Sequence, residues 1–205
     1  MMLIIEVMAV ISGAIFGVLM ARRKGLDFVG VCTVAFITSF GGGTVRDVLL
    51  DRHPLFWIQY SWYPVIVFFV AAVVSLIPKI PSNVEKWLAI PDALGLGLFS
   101  VVGTEIALEL KVAPFVAVLF GVITGTFGGV IGEIVCNEVP TLFRPRTPLY
   151  ATCAFLGGWL LIVTKLAGIS DSIGFPGAAA FVVVLRLLAL RYRIGLRAVE
   201  HQING

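Results

Sequence analysis

The chain is predicted to be an all-α integral membrane protein. It is read as seven transmembrane helices, two inverted three-helix repeats plus a seventh helix, with helices two and five broken at glycines. Three observations predict this. The first is composition: 59% of the 205 residues are hydrophobic and 13% are charged, against roughly 25% charged in soluble domains, and the mean hydropathy is +1.03. The second is a series of apolar runs near the ~20 residues that cross a bilayer core. The third is a pattern that occurs twice, 86 residues apart. Gly42-Gly43 is followed by Asp47 and then Pro54; Gly128-Gly129 is followed by Glu133 and then Pro140.

The first run, Leu3–Met20, follows no basic residue and is too long for a signal-peptide core of about 7–15 residues, so a spanning helix is expected. Its Ser12, Gly13, Ala14 and Gly17 form a small face. The second, Phe28–Leu50, holds Thr33, Thr38, Ser39, the Gly41-Gly42-Gly43 run, Arg46 and Asp47. The third, Ser61–Ile77, is rich in aromatics and valine and is expected to face lipid. The fourth, Trp87–Leu108, carries Gly95, Gly97, Ser100, Gly103 and Thr104; small residues here and in the first run permit close approach of the two helices. The fifth, Ala113–Cys136, carries Thr124, Thr126 and the second glycine pair. The sixth and seventh are Leu149–Thr164 and Ile173–Ala189. Short connections hold the turn residues: Arg22–Gly25, Asp51–Pro54, Pro78–Asn83 and Arg144–Pro148. The tail Arg191–Gly205 is polar and expected to be only partly ordered. The domain reading is 1–80 for the first repeat, 81–170 for the second, and 171–205 for the seventh helix and a basic tail.

A unit of three helices ends on the side of the membrane opposite its start. Two such units are therefore related by a pseudo-two-fold axis in the membrane plane. The same offset pairs Gly17 with Gly103 and Thr38 with Thr124. Arg22, Arg23, Lys24, Lys79, Lys86, Arg144, Arg146, Arg191, Arg193 and Arg197 fall after odd-numbered helices; only Arg52, Lys111 and Lys165 fall after even-numbered ones. Basic loops stay cytoplasmic, which puts the N-terminus outside and the C-terminus in the cytoplasm.

Glycines in a helix cost roughly 1 kcal/mol each against alanine. Gly41, Gly42 and Gly43 are expected to unwind helix two, and Gly128 and Gly129 helix five, so that bare carbonyls line a path; close packing of small residues is the alternative. Arg46 within a span costs at least ~2.5 kcal/mol and requires a carboxylate, a carbonyl cluster or water. Asp47 is expected on another face, with Glu133 reaching Arg46 across the pseudo-two-fold. The hydroxyls Ser12, Thr38, Ser39, Ser100, Thr104, Thr124 and Thr126 concentrate in the same helices and suggest a hydrated route. Glu6, Asp92, Glu105 and Glu109 are read as interface residues, and Arg186 as snorkelling. Cys32, Cys136 and Cys153 have no paired spacing, so no metal site is expected beyond a transported cation, and no cofactor. His53 and His201 are isolated, and neither a catalytic triad nor a phosphate loop is present, so no enzyme is expected. Nothing points to nucleic acid.

Gly-Gly-Gly-x-x-Arg-Asp in helix two, echoed by the glycine pair of helix five in a seven-span chain, resembles the prokaryotic trimeric intracellular cation channels, a family also labelled glycine transporters. The resemblance implies a homotrimer with one pore per subunit between the repeats, conducting potassium or sodium. It also implies that Gly41, Gly42, Gly43, Arg46 and Asp47 line or brace the pore opposite Gly128, Gly129 and Glu133. Gly132, where the first copy has Arg46, departs from a strict repeat. The alternative is a secondary transporter of a small zwitterion such as glycine, with Arg46 on the carboxylate. Bound lipid, anionic heads against the basic face, and a prokaryotic inner membrane complete the expectation.

Overall fold

The computed structural model describes residues 2–77, 84–144 and 147–195. Residue 1, the loop 78–83, residues 145–146 and the tail beyond 195 lie outside the described residues, as do the side chains of residues 84–86. The described chain is helical: α1 (Met2–Arg23), α2 (Phe28–Leu49), α3 (Phe56–Gln59), α4 (Trp62–Ser75), α5 (Val84–Glu109), α6 (Pro114–Val135), a 3-10 turn at Thr141–Phe143, α7 (Ala151–Leu166) and α8 (Asp171–Tyr192). No strand occurs among the described residues. Each predicted run has its helix within a few residues. The short α3 and the turn at Thr141–Phe143 were not predicted; each is too short to leave a periodic signal.

Local chemistry sets the ends. Asp27 caps α2 by accepting from Gly30 N at 2.8 Å. Pro114 opens α6, where a missing N–H costs nothing. Helix ends then repeat at the offset seen in the sequence. Gly25 and Lys111 take left-handed backbones after α1 and α5; Asp51 and Asn137 do so after α2 and α6. The bonds that close these ends repeat too: Leu26 N to Ala21 O and Val112 N to Ala107 O, then Arg52 N to Asp47 O and Glu138 N to Glu133 O.

Packing follows the same rule. The centre is α1, α2, α5 and α6; α4 lies on α1 and α2 as α7 lies on α5 and α6, while α8 leans on α5 and α7. Five helices (α1, α2, α5 from Trp87, α6 and α8) are long and apolar enough to cross a membrane; α4 and α7 have 14 and 16 residues. Val65 and Phe69 of α4 point outward with Leu76 just beyond it, and so do Leu166 and Ile173 at the α7–α8 junction.

The prediction of broken helices is corrected. α2 runs through Gly41, Gly42 and Gly43 without interruption, and α6 through Gly128 and Gly129. The glycines serve approach rather than unwinding. A Cβ on Gly42 would collide with the Thr124 carbonyl, and one on Gly128 with the Thr38 carbonyl. Thr38 and Thr124 are themselves equivalent positions, as are Gly42 and Gly128, so the contact is made twice in reciprocal form, the mark of a two-fold crossing. Gly17 gives room to Thr38 as Gly103 does to Thr124. Backbones this close gain dispersion contacts along the whole crossing, which outweighs the weak helix propensity of glycine.

Candidate functional site

The two predicted charge motifs lie at opposite ends of α1. At its start, Arg46 and Asp47 are 1% and 0% exposed. Arg46 Nε donates to Asp47 Oδ1 at 2.9 Å, and its Nη2 stands 2.7 Å from the same oxygen. Asp47 Oδ2 accepts the Phe56 amide at 2.9 Å, which holds α3 against the end of α2. The Phe56 ring lies under the Arg46 guanidinium at 5.4 Å and fills the space Gly43 leaves. Tyr63 donates to Glu6 Oε2 at 2.8 Å, and Trp57 to Thr44 Oγ1 at 3.0 Å. This end is packed shut by Phe40, Phe56, Trp57 and Tyr63.

Near the other end of α1 the same frame carries an open cavity. Glu133 accepts the Thr141 amide at 2.8 Å and also the Thr141 hydroxyl, as Asp47 accepts Phe56. Tyr150 donates to Asp92 Oδ1 at 2.9 Å, as Tyr63 donates to Glu6. Arg186 of α8 contacts Asp92 Oδ2 at 3.3 Å, donates to Pro148 O and Leu149 O at 2.9 and 3.0 Å, and sits over the Tyr150 ring at 4.5 Å. Around these groups is a cavity of about 430 Å³, bordered by Met20, Arg23, Glu133, Glu138, Thr147 and Arg186 among others. Beside it lies a neck of about 20 Å³, room for one water, bordered by Gly13, Thr38, Thr124, Gly125 and Gly128. Phe16, Asp92, Gly129 and Tyr150 border both.

Of the predicted residues, Thr38, Thr124, Gly128, Gly129 and Glu133 therefore meet on this cavity and neck. Gly41, Gly42, Gly43, Arg46 and Asp47 do not border it. Ser12 donates to Pro91 O, Ser39 to Val10 O, Ser100 to Gly97 O, Thr104 to Ser100 O and Thr126 to Val122 O, so these hydroxyls spend their proton on backbone carbonyls. The pairing of Arg46 with Glu133 is corrected. The carboxylate that reaches Arg46 is its neighbour Asp47, and Glu133 is instead engaged by Thr141. Asp92, read as an interface residue, and Arg186, read as snorkelling, are instead 13% and 3% exposed in their side chains and bonded to each other. The signal was available: Glu6 and Asp92 stand at the same offset as the glycine pairs, and the tyrosines Tyr63 and Tyr150 miss it by one residue.

Outside the helices, Lys24 and Arg144 hold the Glu138 carboxylate at 2.8 and 3.0 Å. The Lys24 hydrogen bond leads in keeping its pKa below the usual carboxylate value of 4.5. A depressed folded pKa contributes stability that is fully present above the unfolded value and lost as pH falls through the folded one. Wild-type protein and Glu138→Gln are therefore expected to differ in melting temperature at pH 6 and to converge as pH falls below 4.5 and through the depressed carboxylate value. Detergent-solubilised thermal melts across that window check this.

Comparison with known proteins agrees with the duplication. A sequence model of a family described as "Glycine transporter" matches twice, at residues 3–79 and 89–165. A UPF0126 membrane protein of Vibrio cholerae is 34% identical over 184 residues, 89% of this chain and 76% of that one. The UPF0126 inner membrane protein YadS of Escherichia coli K12 is 34% identical over 197 residues, 94% of this chain and 93% of that one. The crystal structure of the TRIC trimeric intracellular cation channel orthologue from Rhodobacter sphaeroides superposes with a TM-score of 0.87 at 30% identity, covering 93% of this chain and 97% of that one. A prokaryotic TRIC channel crystallised in 0.5 M KCl gives a TM-score of 0.86 at 29% identity, covering 95% and 98%. The chain belongs to the prokaryotic trimeric intracellular cation channel family, the family whose sequence model is described as glycine transporter.

Proposed function

We propose that the protein is a monovalent cation channel, passing potassium or sodium, with one pore per subunit between two inverted halves. The observation that carries this reading is the open cavity running to the reciprocal α2–α6 crossing, in a chain whose solved relatives are cation channels. The halves are 1–80 and 81–170, with α8 outside the duplication. Seven spans are proposed. α4 and α7 extend about 21 and 24 Å at 1.5 Å per residue, short of the ~30 Å hydrocarbon core. Local thinning of the bilayer accommodates the difference. The cavity opens to the cytoplasm, where Arg22, Arg23, Lys24 and Arg144 gather and anionic lipid heads are attracted; the N-terminus lies outside. The trimeric channel from Rhodobacter sphaeroides and the inner membrane protein YadS support a homotrimer in a prokaryotic inner membrane.

On this reading the conformation is a closed one. Ions enter the cavity and stop at the neck, where Thr38 and Thr124 meet across the crossing. Sliding of α2 against α6 at the glycine seam opens the route, because small faces move past one another without interlocking side chains. An arginine in a cation path would oppose the ion. Arg46 does not stand as a bare charge, since Asp47 neutralises it and Phe56 covers it. The same engagement disfavours the zwitterion transporter, whose substrate carboxylate would need that guanidinium free. Purified protein in planar bilayers is expected to give unitary potassium currents. Saturable, ion-coupled glycine uptake with no unitary current would overturn the reading.

A further inference from the structure

The duplication is incomplete at one position, and the helix outside it brings a second arginine to that half. Arg46 of the first half corresponds to Gly132 of the second. Yet that half has a guanidinium of its own, with other partners: Arg186 of α8 sits by Asp92 and over Tyr150, the counterparts of Glu6 and Tyr63, whereas Arg46 sits by Asp47 and over Phe56. The two arginines differ in setting. Arg46 lies in a sealed end. Arg186 borders the open cavity, although both are buried and each keeps one guanidinium nitrogen without a hydrogen-bond partner, Nη2 in Arg46 and Nε in Arg186. Its hold on Asp92, at 3.3 Å, is looser than the 2.7 Å of Arg46 on Asp47. Asp92 keeps some of its side-chain surface open and borders both the cavity and the neck, so an ion moving from one to the other passes its carboxylate.

We propose that Asp92 is a monovalent-cation binding residue at the entrance to the neck, and that Arg186 is a specificity-determining counter-charge that competes with the cation for it. This rests on the channel reading above. With Arg186 in place, the site is close to neutral and a cation binds by displacing the guanidinium from one carboxylate oxygen, the other being held by Tyr150. The arginine can give up that bond cheaply, because its Nη1 remains on the Pro148 and Leu149 carbonyls. Without Arg186, the entrance carries a net negative charge in a low-dielectric cleft. Such a field raises local cation concentration by ~10-fold or more.

The test is reversal potential under a KCl gradient in planar bilayers. Arg186→Gln is expected to raise the potassium-to-chloride permeability ratio by roughly two-fold or more, and Asp92→Asn to lower it by a similar factor. Arg186→Lys, which keeps the charge, should bring the ratio back toward the wild-type value. Opposite signs are the signature of charge; a merely structural role moves both variants the same way. Should either variant fail to assemble, Tyr150→Phe frees one Asp92 oxygen while keeping the ring. It is then expected to lower the potassium concentration at which conductance half-saturates. Wild-type protein with no current overturns the channel reading and this proposal together. Wild-type current with permeability ratios that stay fixed or shift in the same direction, or an unchanged half-saturation in Tyr150→Phe, overturns this proposal alone.

Discussion

Asp47→Ala is expected to abolish stable protein, and to do so more severely than any other single change at a predicted site residue. The aspartate is fully buried and answers three groups: the Arg46 guanidinium, the Phe56 amide at 2.9 Å and, at 3.4 Å, Arg52. Removing one partner of a buried ion pair costs about 3–5 kcal/mol, because the remaining charge keeps its desolvation penalty. The orphaned Phe56 N–H adds about 1–3 kcal/mol. Arg46→Met is the milder change, since Asp47 retains Arg52 and the Phe56 amide. Glu133→Gln is milder still, near 1 kcal/mol, because an amide oxygen still accepts one bond from Thr141. Yield of monodisperse protein in detergent, with thermal melts of what survives, should rank the three in that order. Equal loss in Asp47→Ala and Glu133→Gln would contradict the asymmetry between a sealed and an open end.

Gly42→Ala is expected to destabilise the chain despite its better helix propensity. Alanine gains about 1 kcal/mol in an unstrained helix. Here the new methyl meets the Thr124 carbonyl of the partner helix, a backbone group that cannot rotate away. Overpacking typically costs about 1–3 kcal/mol, and both helices must shift to relieve it. A net loss of about 1–2 kcal/mol corresponds to a melting temperature lower by roughly 2–8 °C at this chain length. Gly128→Ala should match it, since its methyl meets the Thr38 carbonyl in the reciprocal contact. Gly177→Ala serves as the comparison, because nothing lies within 4 Å of its added methyl, and it should hold or raise the melting temperature. Stabilisation by Gly42→Ala would show that the seam is loose.

The helices were legible because apolar runs of bilayer length admit few other folds, and their order and limits follow from where Arg22–Gly25, Asp51–Pro54 and the later turns interrupt them. The repeat was legible because Gly42-Gly43 and Gly128-Gly129 are rare within such runs. What those glycines do was not. Low helix propensity argued for unwinding, but propensity is a local quantity. The factor that decides is the Thr124 carbonyl across the crossing, which no reading of α2 alone contains. The charged site was misread for a similar reason. Asp47 follows Arg46 directly, and neighbours on an ideal helix diverge by about 100°, yet the long arginine side chain curls back to its neighbour. Asp92 and Arg186 are 94 residues apart. Read singly, each has the composition of an ordinary interface residue; only the fold of α8 against α5 makes them a pair.

The claim on which the account depends is that ions travel through the cavity between the halves and on through the α2–α6 seam. The most direct measurement is modification of Thr147→Cys, on the cavity wall, by a charged thiol reagent during single-channel recording. Cys32, Cys136 and Cys153 are replaced in the background, and Phe69→Cys on the outward face of α4 is the comparison. A positively charged reagent added to the cavity side is expected to reduce potassium current through Thr147→Cys and to leave Phe69→Cys unchanged. Full modification of Thr147→Cys with undiminished current, together with block through Phe69→Cys, would place the ions outside the halves and contradict the account.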